Sequence, residues 1–164
     1  MKEWTGIEIE RAKQELEQAS ATILGRMLFE FSRLDVALGL FLVWSGDGRH
    51  LDELTNKVEA LAFSKKLEFL EALIKAKYET TETVRSLYAQ WLLDANSIRQ
   101  VRNELVHGRW GVEPIKNRVV NVIGLPTSPE QSTVEYAIVD LKRVLEKIVE
   151  LQQRLSVLRA ESPL

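Results

Sequence analysis

Apolar residues recur along most of this chain at steps of three and four, the spacing of one face of an α-helix. Ile23, Met27, Phe31, Leu34, Leu38 and Phe41 form the first such stripe. It continues a polar run, rich in Glu, Gln and Ala, that starts near residue 7. The pattern predicts one long helix from there to Trp44, with Glu8, Glu10 and Glu15 suited to the positive N-terminal end of its dipole. Gly25 and Gly39 fall inside it; each costs about 1 kcal/mol relative to Ala and would permit a close helix approach. Between Leu34 and Trp44 a second apolar face appears, made by Val36, Leu40, Val43 and Trp44. A helix that is apolar all round is central in a bundle or covered in an oligomer. Ser45-Gly46-Asp47-Gly48 ends it as a turn.

From Leu51 to Lys77 the helical spacing returns. Leu54, Val58 and Leu61 form one stripe, and Phe63, Leu67, Leu70 and Ile74 the next. The phase change at Ala62-Phe63-Ser64 predicts a kink or break, with Ser64 as N-cap. Lys65, Lys66, Glu68, Glu71 and Lys75 read as a solvated face of mixed charge. Glu79-Thr80-Thr81-Glu82-Thr83 starts a third helical region. Its stripe is Val84, Leu87, Trp91, Ile98, Val101 and Leu105, helped by Tyr88, Leu92 and Ala95, and Gly108 follows as the residue that ends it.

Past Trp110 the period changes. Arg118–Ile123 is β-branched, and Thr133–Ile138 alternates with Val134, Tyr136 and Ile138 on one side. A turn-rich loop, Gly124–Ser132, joins them. This predicts a two-stranded hairpin that must pack on the helices to be stable. Asp140 is placed to cap a last helix, Leu141 to about Leu158, with Leu141, Leu145, Ile148, Leu151, Leu155 and Leu158 as its stripe. The predicted fold is mainly α: an antiparallel four- to five-helix bundle in one domain over residues 1–164, with a β-hairpin at about 110–138 before the last helix.

Composition narrows the function classes. The chain of 164 residues is 45% hydrophobic and 28% charged, as in a globular domain with a real core. It has no cysteine, which excludes disulfides, thiolate metal sites and a cysteine nucleophile and fits a reducing, cytoplasmic setting. Met1–Glu10 has no apolar run and does not read as a signal peptide. Leu34–Trp44 is the most apolar stretch; it contains Asp35 and falls well short of the ~20 residues that span a membrane. The net charge of −2 gives no global pull on nucleic acid, so an RNA site needs a local basic patch. His50 sits in a turn and does not combine with His107 into a metal motif, so neither metal nor cofactor is expected.

The candidate chemistry gathers at Arg99-Gln-Val-Arg-Asn-Glu-Leu-Val-His107-Gly-Arg-Trp110. On a helix, Arg99, Asn103 and His107 share one face, while Arg102 lies about 140° round from His107. The negative end of a helix dipole favours imidazolium, which suits His107 to acid–base work near neutral pH. Arg102 could fork onto a phosphate. Arg99, Arg102, Arg109, Lys116 and Arg118 outweigh Glu104 and Glu113, the footprint of an RNA or phosphate site. The structural alternative is equally simple: a histidine at a helix end caps carbonyls, and an arginine beside it makes an ion pair. Trp110 divides in the same way, between packing the hairpin on the bundle and stacking a base beside the cleft.

Arg102-Asn103-x-x-x-His107 near the end of a late helix resembles the signature of HEPN domains, all-helical proteins with an arginine, four to six residues, then histidine. Val101–Gly108 as a whole resembles that family, and Leu28–Asp35 is similar to its first core helix. The resemblance implies a homodimer in which two motifs meet in a basic cleft, and a metal-independent endoribonuclease in which the ribose 2′-OH attacks the adjacent phosphate. His107 would then move protons, Arg102 would stabilise the phosphate and Asn103 would orient either group. Arg99, Arg109, Lys116, Arg118 and Trp110 would bind RNA. A toxin-type RNase of a defence or toxin–antitoxin system, with its antitoxin or regulatory protein on another chain, is the expected setting. The family also has catalytically inactive binding and dimerisation modules, and Glu104 inside the motif points that way.

Overall fold

A computed structural model describes residues 4–164. Met1–Glu3, the start of the segment read as lacking a leader, lie outside the described residues. The chain forms α1 (Gly6–Val43), a short 3-10 turn (Ser45–Gly48), α2 (Leu51–Glu59), α3 (Phe63–Lys77), α4 (Glu82–His107), β1 (Arg109–Glu113), β2 (Arg118–Ile123), β3 (Ser132–Tyr136) and α5 (Ile138–Glu161). The fold is mainly α: five helices that pack on one another, with an antiparallel sheet before the last. The hairpin expected from the alternation is β2–β3. A further strand, β1, pairs in front of it, so the sheet order is β1-β2-β3.

Helices α1 and α5 start where side chains satisfy free N–H groups. Thr5 and Glu8 form a reciprocal pair: Glu8 N–H donates to Thr5 Oγ1 at 3.2 Å, and Thr5 N–H donates to Glu8 Oε2 at 2.9 Å. At α5 the cap position is Ala137, and Asp140 in the first turn accepts its N–H at 2.8 Å. Asp140 therefore reaches back from inside the helix instead of capping it. Ser64 also lies inside its helix, because the break falls at Leu61–Ala62 and the Lys65 and Lys66 N–H groups already donate to Ala62 O.

The chain divides into two compact units. One comprises residues up to Leu28 and Val101–Glu146; the other comprises Phe29–Gln100 and Lys147–Leu164. In the larger second unit, Leu34, Leu38, Leu42, Leu70, Tyr88, Trp91 and Leu151 form a core closed to solvent. Two of its aromatic residues are also tied to carbonyls of α5 and of the residue that follows it. Trp91 Nε1 donates to Leu151 O at 3.0 Å, and the Tyr88 hydroxyl donates to Ser162 O at 2.6 Å.

Three sequence expectations change here. Trp44, expected on the second apolar face of α1, is 48% exposed, because α1 stops at Val43 and the indole lies beside Gly48 in the turn. Leu87 is exposed and Tyr88 takes the inward place. Lys66, read as part of a solvated face, is buried and paired with Asp35 at 2.8 Å. Of the second apolar face of α1, Val43 is buried, while Val36 and Leu40 are each about half exposed, as is Phe29 nearby to a greater degree. Among the described residues no helix is long and apolar enough to cross a membrane.

Candidate functional site

The first unit builds its site around the junction of α4 and β1. A helix ends with carbonyls that have no partner inside it. Here the sheet supplies partners. Glu104 O accepts from Gly108 N–H at 3.2 Å and from Asn121 Nδ2 at 3.0 Å. Leu105 O accepts from Trp110 Nε1 at 2.8 Å. Asn121 is fully buried, and its side chain fills the space where a Cβ on residue 108 would stand. Glycine is required there for that contact.

The pairing register sorts the sheet's side chains onto two faces. Successive strand residues point to opposite sides, and directly paired residues share a side. Trp110, Val112, Val119, Asn121, Val134 and Tyr136 share the inner face, which carries the buried Val119 and Asn121. Arg109, Glu113, Arg118, Val120 and Glu135 share the outer one. Trp110 and Tyr136 meet with ring centroids 5.9 Å apart at 39°. Burial raises the Tyr136 phenol above its ordinary pKa, and the nearby Glu104 carboxylate adds to this.

The expected catalytic residues lie on the last turns of α4. His107 is its final residue and is exposed. Its imidazole has no hydrogen bond or ion pair among the described residues. Arg102 and Asn103 are half-buried, and Arg102 Nη1 donates to Asn103 Oδ1 at 3.2 Å. The amide thus holds one arm of the guanidinium.

The sheet residues expected to bind RNA are spread along the hairpin. Arg99 belongs to the other unit and donates from Nε to Asn96 Oδ1 at 3.0 Å. Arg109, next to the helix end, donates to Gln131 Oε1 at 2.7 Å. Lys116 lies in the β1–β2 turn, and Arg118 pairs in register with Glu113 at that distal end. At ~3.4 Å per residue the length of β1 sets them ~14 Å beyond Arg109 along the sheet. Trp110 is on the opposite face from both arginines.

Comparison of the chain with known protein families, with curated proteins and with solved structures found no match. The chemistry must therefore be read from the residues themselves.

Sequence reasoning missed two contributors. Asn121 is the polar residue on the inward face of an otherwise β-branched strand, and that alternation was the available signal. Glu17 and Ser20 of α1 line an open cavity of about 330 Å³ together with Trp110, Gly111, Val112 and Val119. Nothing in the sequence connects α1 to β1. Among the described residues no three His, Asp or Glu side chains converge as a metal site requires.

Proposed function

We propose that this protein is a HEPN-like, metal-independent endoribonuclease of the toxin type, acting as a homodimer. The observation that carries the reading is the capping of α4. Asn121, Gly108 and Trp110 occupy the Glu104 and Leu105 carbonyls, so a C-terminal histidine is not needed there as a cap. His107 is instead presented to solvent, with the Asn103-held Arg102 in the preceding turn.

In the reaction the ribose 2′-OH attacks the adjacent phosphorus and expels the 5′-oxygen of the next nucleotide. An imidazole at His107 takes the hydroxyl proton or gives one to the leaving oxygen, as a general base or acid. The Arg102 guanidinium forks onto the non-bridging oxygens, where charge builds. Asn103 fixes the guanidinium. Arg102 and His107 diverge by about 140° round one helix, so His107 of a second copy completes the pair more readily. The exposed Phe29, Val36 and Leu40 of α1 support self-association.

The test is cleavage of single-stranded RNA in excess chelator by the parent chain, His107→Ala and Arg102→Ala. His107 is exposed, so its loss leaves folding intact, and the rate should fall by about 100-fold or more. Equal cleavage by the parent and His107→Ala would sink the mechanism. The second reading, a catalytically silent RNA-binding module, is favoured by Glu104, whose exposed carboxylate stands inside the motif. RNA that binds the parent chain without being cut would establish it.

A further inference from the structure

The cavity between α1 and the sheet has features of a binding site. Its volume of about 330 Å³ is at the small end of the range for ligand pockets. Val112 and Val119 give it apolar walls. Trp110 lines it and cannot swing away, because its Nε1 is bonded to Leu105 O and its ring lies against Tyr136. An indole fixed in this way has already lost the rotamer freedom that binding would otherwise take from it.

The polar groups are few and separate. Ser20 is buried, and its hydroxyl is committed to the Leu16 and Glu17 carbonyls at 2.8 and 3.0 Å. Glu17 also lines the cavity; it is exposed, and its carboxylate has no hydrogen bond or ion pair among the described residues. Gly111 and Val112 belong to β1, an edge strand whose outer row of N–H and C=O groups has no strand partner. A rigid aromatic plane, one free carboxylate and an open backbone edge suit a flat heterocycle with N–H donors on its rim.

Among the nucleobases, guanine alone places two N–H donors, N1–H and N2–H, side by side on its Watson–Crick edge. A carboxylate accepts both at once. Bases splayed from single-stranded RNA are read in this way, by stacking and by their Watson–Crick edges. Trp110 follows His107 by three residues, so their Cα atoms are at most about 11 Å apart, within reach of neighbouring nucleotides. We infer that this cavity is a guanine pocket, in which Trp110 stacks the base and Glu17 accepts from N1–H and N2–H. The inference rests on the RNA reading of this end of the chain and adds a base preference to it.

The test uses labelled uridine octamers with one central guanine, inosine or adenine, all carrying 2′-fluoro ribose so that no attacking hydroxyl is present. Binding is followed by fluorescence anisotropy. The guanine octamer should bind about tenfold tighter than the adenine one, with inosine, which keeps N1–H and lacks the 2-amino group, between them. Glu17→Gln should bring guanine and adenine within about twofold of each other. Glu15→Gln, an exposed change on the same helix, should leave the preference intact. Equal binding of the three octamers overturns the inference; a peptide strand as the true occupant of the β1 edge would give that result. A preference that survives Glu17→Gln, or that Glu15→Gln abolishes equally, also overturns it. Guanine preference without any cleavage of natural RNA removes the nuclease and keeps the pocket. Cleavage without guanine preference does the reverse.

Discussion

Asn121 occupies the place where Gly108 would carry a side chain, and this contact seats the sheet against the end of α4. Gly108→Ala should therefore overpack a site whose neighbour is fully buried and hydrogen-bonded to Glu104 O. The expected cost is about 1–3 kcal/mol, or several degrees in Tm. Asn121→Ala should also destabilise, yet the double substitution should cost less than the two singles together, because the smaller residue makes room for the methyl group. Thermal melts of the four proteins measure this. Strict additivity would show that the two residues do not compete for space.

Two glycines inside α1 should respond in the opposite direction. Gly25 has no atom within 4 Å of a Cβ built on it. Gly25→Ala should stabilise by about 1 kcal/mol through helix propensity alone. At Gly39 the added methyl would meet Lys66 Nζ and Val58 Cγ1 at 3.7 Å, an ordinary contact, so Gly39→Ala should be tolerated too. Neither glycine mediates a close helix approach. A lower Tm for Gly25→Ala would contradict this account.

The Asp35–Lys66 pair makes a different demand. The Lys66 side chain is 9% exposed and that of Asp35 is 37% exposed. Removing the carboxylate leaves an ammonium group in a dry place, whereas removing the lysine leaves a carboxylate that still reaches water. Asp35→Ala should thus cost more than Lys66→Met. The excess should be about 2 kcal/mol, below the 3–5 kcal/mol of a fully buried pair because Asp35 is partly solvated. Urea titrations of the two variants decide it, and a larger loss from Lys66→Met would reverse the assignment.

Tyr88 gives the fold an alkaline limit. Burial, with the Tyr78 phenol adding to it, pushes the Tyr88 phenol far above its ordinary pKa near 10. Its hydroxyl proton is held on Ser162 O. The unfolded chain gives up this proton at lower pH than the folded one. Stability should therefore be constant in this respect below about pH 10 and fall as pH rises above it. Tyr88→Phe should cost about 1 kcal/mol at pH 7 through the lost hydrogen bond and show a shallower alkaline decline. Parallel slopes for the two proteins between pH 9 and 11 would rule Tyr88 out as the cause.

The division of the basic residues should be visible in RNA binding. Arg109 stands next to the helix end, while Arg118 is matched in register with Glu113 at the distal turn. Arg109→Ala should lower the dependence of log K on log salt by about 0.7, the value for one phosphate contact on a single strand. Arg118→Ala should leave it unchanged. Equal effects would mean that RNA runs across the outer face of the sheet.

The sequence made the helices legible, because each buries one stripe and every stripe repeats at the helical period. Strand β2 was legible over its full extent from its β-branched residues. Strand β1 was not. Arg109-Trp-Gly-Val-Glu113 has a glycine at its centre and charges at both ends, and only pairing with β2 makes it a strand. The motif on α4 could be placed on its helix from spacing alone. Its surroundings could not, because Asn121 on Gly108, and Glu17 in one cavity with Trp110, bring together segments far apart in the chain. Of the five basic residues counted as one cluster in sequence, Lys116 and Arg118 are set apart from Arg109 by the hairpin's own length. Val36, Leu40 and Trp44 are apolar residues that one chain leaves in water, which local pattern cannot distinguish from core.

The way the chain is divided has a consequence for its synthesis. Each compact unit is assembled from two stretches with the other unit's residues between them. The first cannot close until residue 146 has emerged from the ribosome, and the second waits for the final turns of α5. The newborn chain thus holds α1 to α4 without the segment that seals either core, and its exposed leucines must be kept from aggregating during that interval. A protease cut between residues 29 and 100 severs both units at once, because it divides the two stretches of the first and falls inside the second.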